Sequence, residues 1–124
     1  IVESFETTPM EEIRADADLR GINLLTSFTQ SEILTFFLTP LPVMIANGYI
    51  PPAPVLQVPL DYTLSGITVT VVNDDFMCKA RYLGLKVQVW TINDSDQMRS
   101  LKNQKKVDGI MTDDPALLES IINE

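Results

Sequence analysis

Apolar and polar side chains alternate with period two over residues 86–92, placing Val87, Val89 and Thr91 on one face and Gln88, Trp90 and Ile92 on the other. That spacing predicts a strand. Asp94 then stands three residues before Gln97, so a carboxylate and an amide can satisfy the orphan N–H groups of a helix start. A second short strand is predicted over residues 107–111. Asp114 and Pro115 supply a cap and a first-turn proline for a last helix over residues 116–122, which would bury Leu117, Leu118, Ile121 and Ile122. Two strand-to-capped-helix transitions in succession are the rhythm of a parallel α/β protein.

The same rhythm runs upstream. Residues 1–5 read as a strand, and Thr8-Pro9-Met10-Glu11 has the form of a capping box with proline at the first helical position. Met10, Ile13 and Ala17 make one apolar stripe, Arg20-Gly21 suits the helix end, and residues 21–25 form the next strand. A second capping box, Thr29-Gln30-Ser31-Glu32, introduces Ile33, Leu34, Phe36 and Phe37, a width of apolar face that predicts a deeply packed helix ending before Pro40. Residues 41–59 are rich in proline, so an extended crossover around residues 49–54 is expected rather than another long helix. Residues 55–58 should be a short strand. Residues 67–72 are β-branched and read either as a strand or as the approach to a helix capped by Asn73, with Phe76, Ala80 and Leu83 buried and Gly84 at its end. About five parallel strand-helix units of one sheet are therefore expected, with right-handed crossovers.

The chain has 124 residues, and a complete (β/α)8 barrel takes roughly 250, so residues 1–124 fit a single segment of about half a barrel. The hydrophobic fraction of 45% suffices for a core, and no apolar run reaches the ~18 residues of a membrane span. A net charge of −8, with Lys102, Lys105 and Lys106 as the sole basic cluster, makes nucleic acid and anionic membranes poor partners. One cysteine excludes an internal disulfide, and Cys78, inside a helical run, is expected as a small buried hydrophobe.

The stretch WTIND, residues 90–94, followed by VDGIMTDDP, residues 107–115, resembles the C-terminal signature of the glycerophosphodiester phosphodiesterases, metal-dependent (β/α)8-barrel hydrolases. Ser4-Phe5 resembles that family's Ser-Phe strand end, and LQVP at residues 56–59 resembles a strand of one bacterial subgroup. The resemblance covers nearly the whole chain, and only the later part of the family's pattern. It implies two-histidine acid/base chemistry beside a divalent metal, Mg or Ca, held by carboxylates, acting on a small glycerophosphodiester. The chain has no histidine and begins in what resembles the family's fourth strand, so none of those groups has a counterpart to which it can be carried over. The chain alone is therefore expected to be inactive and to hold no divalent ion tightly. One departure lies inside the best motif: where the family places a glycine before Val-Asp-Gly, this chain has Lys106, at about 1 kcal/mol of left-handed strain.

In a barrel, function collects at the C-terminal ends of strands, which singles out Phe5, Gln57, Trp90 and Asn93 for substrate binding. By resemblance Trp90 lines the mouth of the site and meets the alcohol portion of the substrate; a packed core tryptophan is the alternative. Asn93 either contacts substrate or satisfies its own turn, and Phe5 is either a wall or a core residue. Gln57, the one polar side chain in VLQV, is a site residue or one satisfied within the barrel. Ser4 has no base near it in sequence, which argues against a nucleophile. Asp108, Asp113 and Asp114 invite a metal reading, against which stand helix capping and strand-end hydrogen bonds. Two classes of function follow: a piece of a phosphodiester hydrolase, or a non-catalytic barrel half that serves as an interaction module, associates with itself or awaits its missing half. An unrelated open α/β binding domain has less support, because no glycine-rich phosphate loop follows any strand.

Overall fold

A computed structural model describes all residues 1–124, which divide into two compact units, residues 1–56 and 57–124.

The first unit is built around α1 (Thr7–Leu19), α2 (Gln30–Leu38) and the short α3 (Leu41–Ala46). Its strands are vestigial. In place of strands over residues 1–5 and 21–25 there are isolated parallel bridges, Val2 to Thr26 and Ser27 to Val55. The second segment pairs later than expected because Gly21 is left-handed, at φ 67°, and the Ile22 N–H is still bonded to Ala17 O. The start of α1 also differs from the sequence reading. Helix α1 begins one residue before Thr8, its cap position is Glu6 with no side-chain cap, and the Thr7 hydroxyl is spent on Ser31 Oγ at 2.8 Å. Pro9 remains in the first turn, where its missing N–H costs nothing. The box at α2 forms as expected: Thr29 Oγ1 accepts from Glu32 N, and Glu32 Oε2 accepts from Thr29 N at 2.8 Å. Helix α2 is less deeply packed than expected. Phe36 is fully buried, edge-on to Phe28 with centroids 5.9 Å apart, whereas Leu34 lies exposed. On α1, likewise, Met10 and Ala17 are buried and Ile13 is not. Arg14 joins the elements, its guanidinium reaching Glu32 Oε1 at 2.7 Å, Thr26 Oγ1 at 3.1 Å and Ser27 O at 2.9 Å.

Residues 49–54 carry no helix or strand, as the prolines require. Strand β1 (Val55–Pro59) then crosses from the first unit into the second. The second unit continues with β2 (Asp61–Leu64), β3 (Ile67–Thr70), α4 (Asp74–Tyr82), β4 (Lys86–Trp90), α5 (Ser95–Ser100), a π turn (Leu101–Lys105), β5 (Gly109–Ile110) and α6 (Pro115–Ile122). One parallel sheet has the order β1-β4-β5, with Gln88 opposite Gly109 and Val89 opposite Ile110. Both strands of the WTIND and VDGIM segments are shorter than predicted, β4 ending at Trp90 and β5 spanning two residues. Past the end of β4 the alternation fails: Ile92 is buried and Thr91 exposed.

The sheet does not take up every strand. Strands β2 and β3 form a separate antiparallel hairpin, which the sequence reading lacked. Ser65 and Gly66 form its two-residue turn, both at positive φ (51° and 79°), which is the twist that matches two antiparallel strands. Its register puts Tyr62 opposite Val69 and Leu64 opposite Ile67, with all four exposed.

Helix α4 is capped by Asn73, whose side chain accepts from Phe76 N at 2.9 Å, and ends at Gly84 with φ 70°. Phe76, Met77 and Ala80 are buried with the stem of Lys79, whose ammonium lies 3.2 Å from Asp75. Cys78 is exposed, contrary to expectation, because its position on the helix turns it away from the Phe76–Ala80 face. Helix α6 keeps its expected start, with Asp114 accepting from Leu117 N and Pro115 in the first turn. Only Ile121 of its four apolar candidates is fully buried, and Ile122 points to solvent.

Candidate functional site

Strand β1 is buried on both faces from Val55 to Val58, the pattern of a central parallel strand, so a polar residue inside it needs a partner. Gln57 is 7% exposed, and its Nε2 donates to Gln88 Oε1 on the neighbouring strand β4 at 2.8 Å. Its own Oε1 is buried and accepts no hydrogen bond. On the far side of Gln88 lies Gly109, where a Cβ would come within 3.1 Å of Gln88 Cγ. Glycine there leaves room for the amide to lie across the sheet. Gln57, Gln88 and Gly109 thus form a row across β1, β4 and β5. Trp90 shares the Gln88 face of β4, half-buried at the strand's C-terminal end, and the Trp90–Thr91 peptide bond is cis. The opposite face, Val87 and Val89, is fully buried.

Asn93 lies one loop beyond Trp90, and its side-chain amide is bonded within that loop. Its Oδ1 accepts from Thr112 Oγ1 at 3.0 Å and from Asp113 N at 2.9 Å, while its Nδ2 donates to Asp113 Oδ2 at 2.9 Å. Asparagine here ties the ends of β4 and β5 together. Asp94 accepts from Asp96 N and Gln97 N, and so caps α5. Asp108 receives Lys86 Nζ at 3.0 Å and Val87 N at 2.9 Å, bracing the start of β4.

Phe5 belongs to the first unit, where its side chain is 49% exposed and its carbonyl accepts from Gln30 N at the start of α2. Beside it Ser4 Oγ is engaged with the backbone of Glu6, accepting from its N–H at 3.2 Å. Gln57, Trp90 and Asn93 belong to the second unit.

The donors present do not fit a catalytic divalent ion. No three His, Cys, Asp or Glu side chains converge, and the carboxylates of Asp94, Asp108, Asp113 and Asp114 are each committed to caps or strand ends. A cavity of about 220 Å³ in the second unit, lined by residues such as Ala80, Gly84, Lys86 and Asp108, opens at the start of β4, the end away from Trp90. Sequence reasoning named Gln57 and Trp90 but treated Gln88 only as a strand neighbour. Its signal was its parity with Trp90 two residues on.

No individual curated protein matches the sequence. The profile of the glycerophosphoryl diester phosphodiesterase family, by contrast, matches residues 2–117, nearly the whole chain and every segment from the Ser4-Phe5 strand end to the Asp114 cap; the chain belongs to that family.

Proposed function

We propose that this chain supplies the later strand-helix units, about five, of a (β/α)8 phosphodiester hydrolase, with the face bearing Gln57, Gln88 and Trp90 as the wall that meets the alcohol portion of a glycerophosphodiester. Family membership supports phosphodiesterase-type function. The observation that carries the finer reading is the pair of bonded amides, Gln57 buried and Gln88 half-buried, leading to Trp90 at the C-terminal end of β4, the end at which barrel chemistry gathers. Proton transfer and metal polarisation belong, in this reading, to groups outside the chain, since it has no imidazole. A divalent Mg or Ca ion would accompany those groups. Asn93 would hold the rim.

The test is turnover of glycerophosphocholine in magnesium or calcium. The purified chain should give none above a heat-treated control. Joined to strand-helix units carrying His-Arg and Glu-x-Asp motifs it should hydrolyse the substrate, and Trp90→Ala in that assembly should raise KM about tenfold, the worth of one aromatic contact. Turnover by the chain alone would overturn the proposal.

The exposed apolar face of the β2–β3 hairpin favours a second reading, a non-catalytic module that pairs with a second copy of itself. Light scattering separates the two: a monodisperse monomer removes this alternative.

A further inference from the structure

The cavity at the start of β4, about 220 Å³, is lined in part by Arg81, Gly84, Lys86, Lys106 and Asp108. Three cations and one carboxylate thus meet on a chain whose net charge is −8. The carboxylate is already occupied, since Asp108 Oδ1 accepts from Lys86 Nζ at 3.0 Å and its Oδ2 from Val87 N at 2.9 Å. Asp74, whose carboxyl the Arg81 charge also reaches, is held by Lys105 Nζ at 2.6 Å. The carbonyls at the end of α4, which would repel an anion, are bonded in place: Lys79 O accepts from Leu83 N, Ala80 O from Leu85 N and Arg81 O from Gly84 N. Arg81 itself is anchored by donating to Lys105 O. Lys106 is the unusual member. The ion pairs of the chain draw on Arg14, Arg20, Lys79, Lys86, Arg99 and Lys105 and leave it out. Its backbone is pinned at φ 54° and ψ 50°, with its own N–H and that of Val107 both on Leu101 O and the N–H of Asp108 on Val87 O at 2.8 Å. Glycine would hold that conformation without strain, so the chain keeps an unpaired ammonium at the cavity at the expense of stability. Strain of this kind collects at ligand clamps.

We infer that this cavity binds a phosphate-type dianion, either free phosphate or the terminal group of a phosphate monoester, held between Arg81 at the end of α4 and Lys106 at the end of the π turn. With Lys86 and Asp108 cancelling, Arg81 and Lys106 leave two positive charges, which match a dianion better than a carboxylate or a phosphodiester carrying one. A guanidinium fork also suits two phosphate oxygens at once. The acidic surplus elsewhere does not forbid this, because at about 0.15 M salt the Debye length is roughly 8 Å and the lining acts at shorter range. Such a site is independent of the phosphodiesterase reading, since the lining alone defines its ligand.

The experiment follows the backbone amide resonances of Gly84 and Lys106 in the isotope-labelled chain during separate titrations with inorganic phosphate, glycerol 3-phosphate, dimethyl phosphate and sodium chloride, all at one ionic strength. Saturable movement is expected with the first two and none with chloride, and dimethyl phosphate, with its single charge, should bind about tenfold more weakly. Tighter binding of glycerol 3-phosphate supports a monoester as the ligand; equal or tighter binding of inorganic phosphate supports the free ion. No saturation with either, or dimethyl phosphate binding as tightly, overturns the site. Lys106→Gly gives a second readout. It should raise the thermal midpoint in chloride while weakening phosphate binding about tenfold, whereas Lys106→Arg should keep that binding. A glycine variant that binds phosphate as before would overturn the role of Lys106 and the site with it. The unmodified chain decides through the dimethyl phosphate comparison, should a variant not fold. Neither readout involves turnover, so failure here would leave the phosphodiesterase reading standing, and absence of turnover would leave the anion site standing.

Discussion

Lys106 shows what a single residue costs when its backbone is dictated from elsewhere. It ends the π turn at φ 54° and ψ 50°, the left-handed region, with a side chain exposed to solvent. A β-carbon there is strained by roughly 1 kcal/mol, and nothing at this position compensates through packing. Lys106→Gly should therefore stabilise the chain by about 0.5–1 kcal/mol, a rise of several degrees in Tm, measurable by circular dichroism. An unchanged or lower midpoint would mean that the lysine's charge at the helix end outweighs its strain. The neighbouring Lys105 acts differently, donating to Asp74 Oδ1 at 2.6 Å and holding that carboxyl below its usual range, chiefly through the hydrogen bond and then through charge. Arg99 does the same to Glu124. A depressed folded-state value contributes stability above the unfolded value and loses it as pH falls through the folded one. Both carboxylates should thus titrate below the ordinary Asp and Glu range by NMR, and Lys105→Met should move Asp74 alone back towards it, with the Arg81 charge still acting.

At the scale of elements, legibility tracks how local the cause is. The caps at Thr29, Asn73, Asp94 and Asp114 were readable because each joins residues three apart in sequence. Thr8-Pro9-Met10-Glu11 had the same form and failed, because Thr7 is drawn to Ser31, twenty-four residues away, and α1 starts earlier. The hairpin was legible and went unread: Tyr62 and Leu64, then Ile67 and Val69, alternate about Ser65-Gly66, a known turn pair. At the site, the strand and parity of Trp90 were local facts, whereas the Gln57–Gln88 bond depends on which strands become neighbours, information no window of sequence holds. The turn itself can be tested. Nothing lies within 4 Å of a Cβ built on Gly66, so Gly66→Ala should cost about 1 kcal/mol from backbone strain alone. Ser65→Asn should gain a few tenths, since asparagine tolerates φ of 51° better than serine. If Gly66→Ala proves neutral in urea denaturation, the turn is not of this type.

For the whole molecule, charge decides the response to salt. Seventeen acidic residues face nine basic ones, and six of the nine, Arg14, Arg20, Lys79, Lys86, Arg99 and Lys105, are already committed to ion pairs. The acidic surplus has little left to neutralise it. Added salt screens two opposed contributions, the attraction within those pairs and the repulsion among unpaired carboxylates. Most of the pairs are exposed, Arg20 with Asp16 and Lys86 with Asp108 among them, and such pairs contribute about 0–1 kcal/mol each. Repulsion from a net −8 acts over the entire surface and penalises every compact arrangement of the chain. The second contribution should prevail. Raising sodium chloride from about 0.01 M to about 0.15 M, which shortens the Debye length from roughly 30 Å to roughly 8 Å, is therefore expected to raise the thermal midpoint. The half-buried Arg14–Glu32 pair, in the less exposed setting, should be the last of the ion pairs to weaken. A midpoint that falls with salt would mean that the ion pairs, and not the surplus charge, control the electrostatic part of stability; Arg14→Met would then lower it more than any surface substitution.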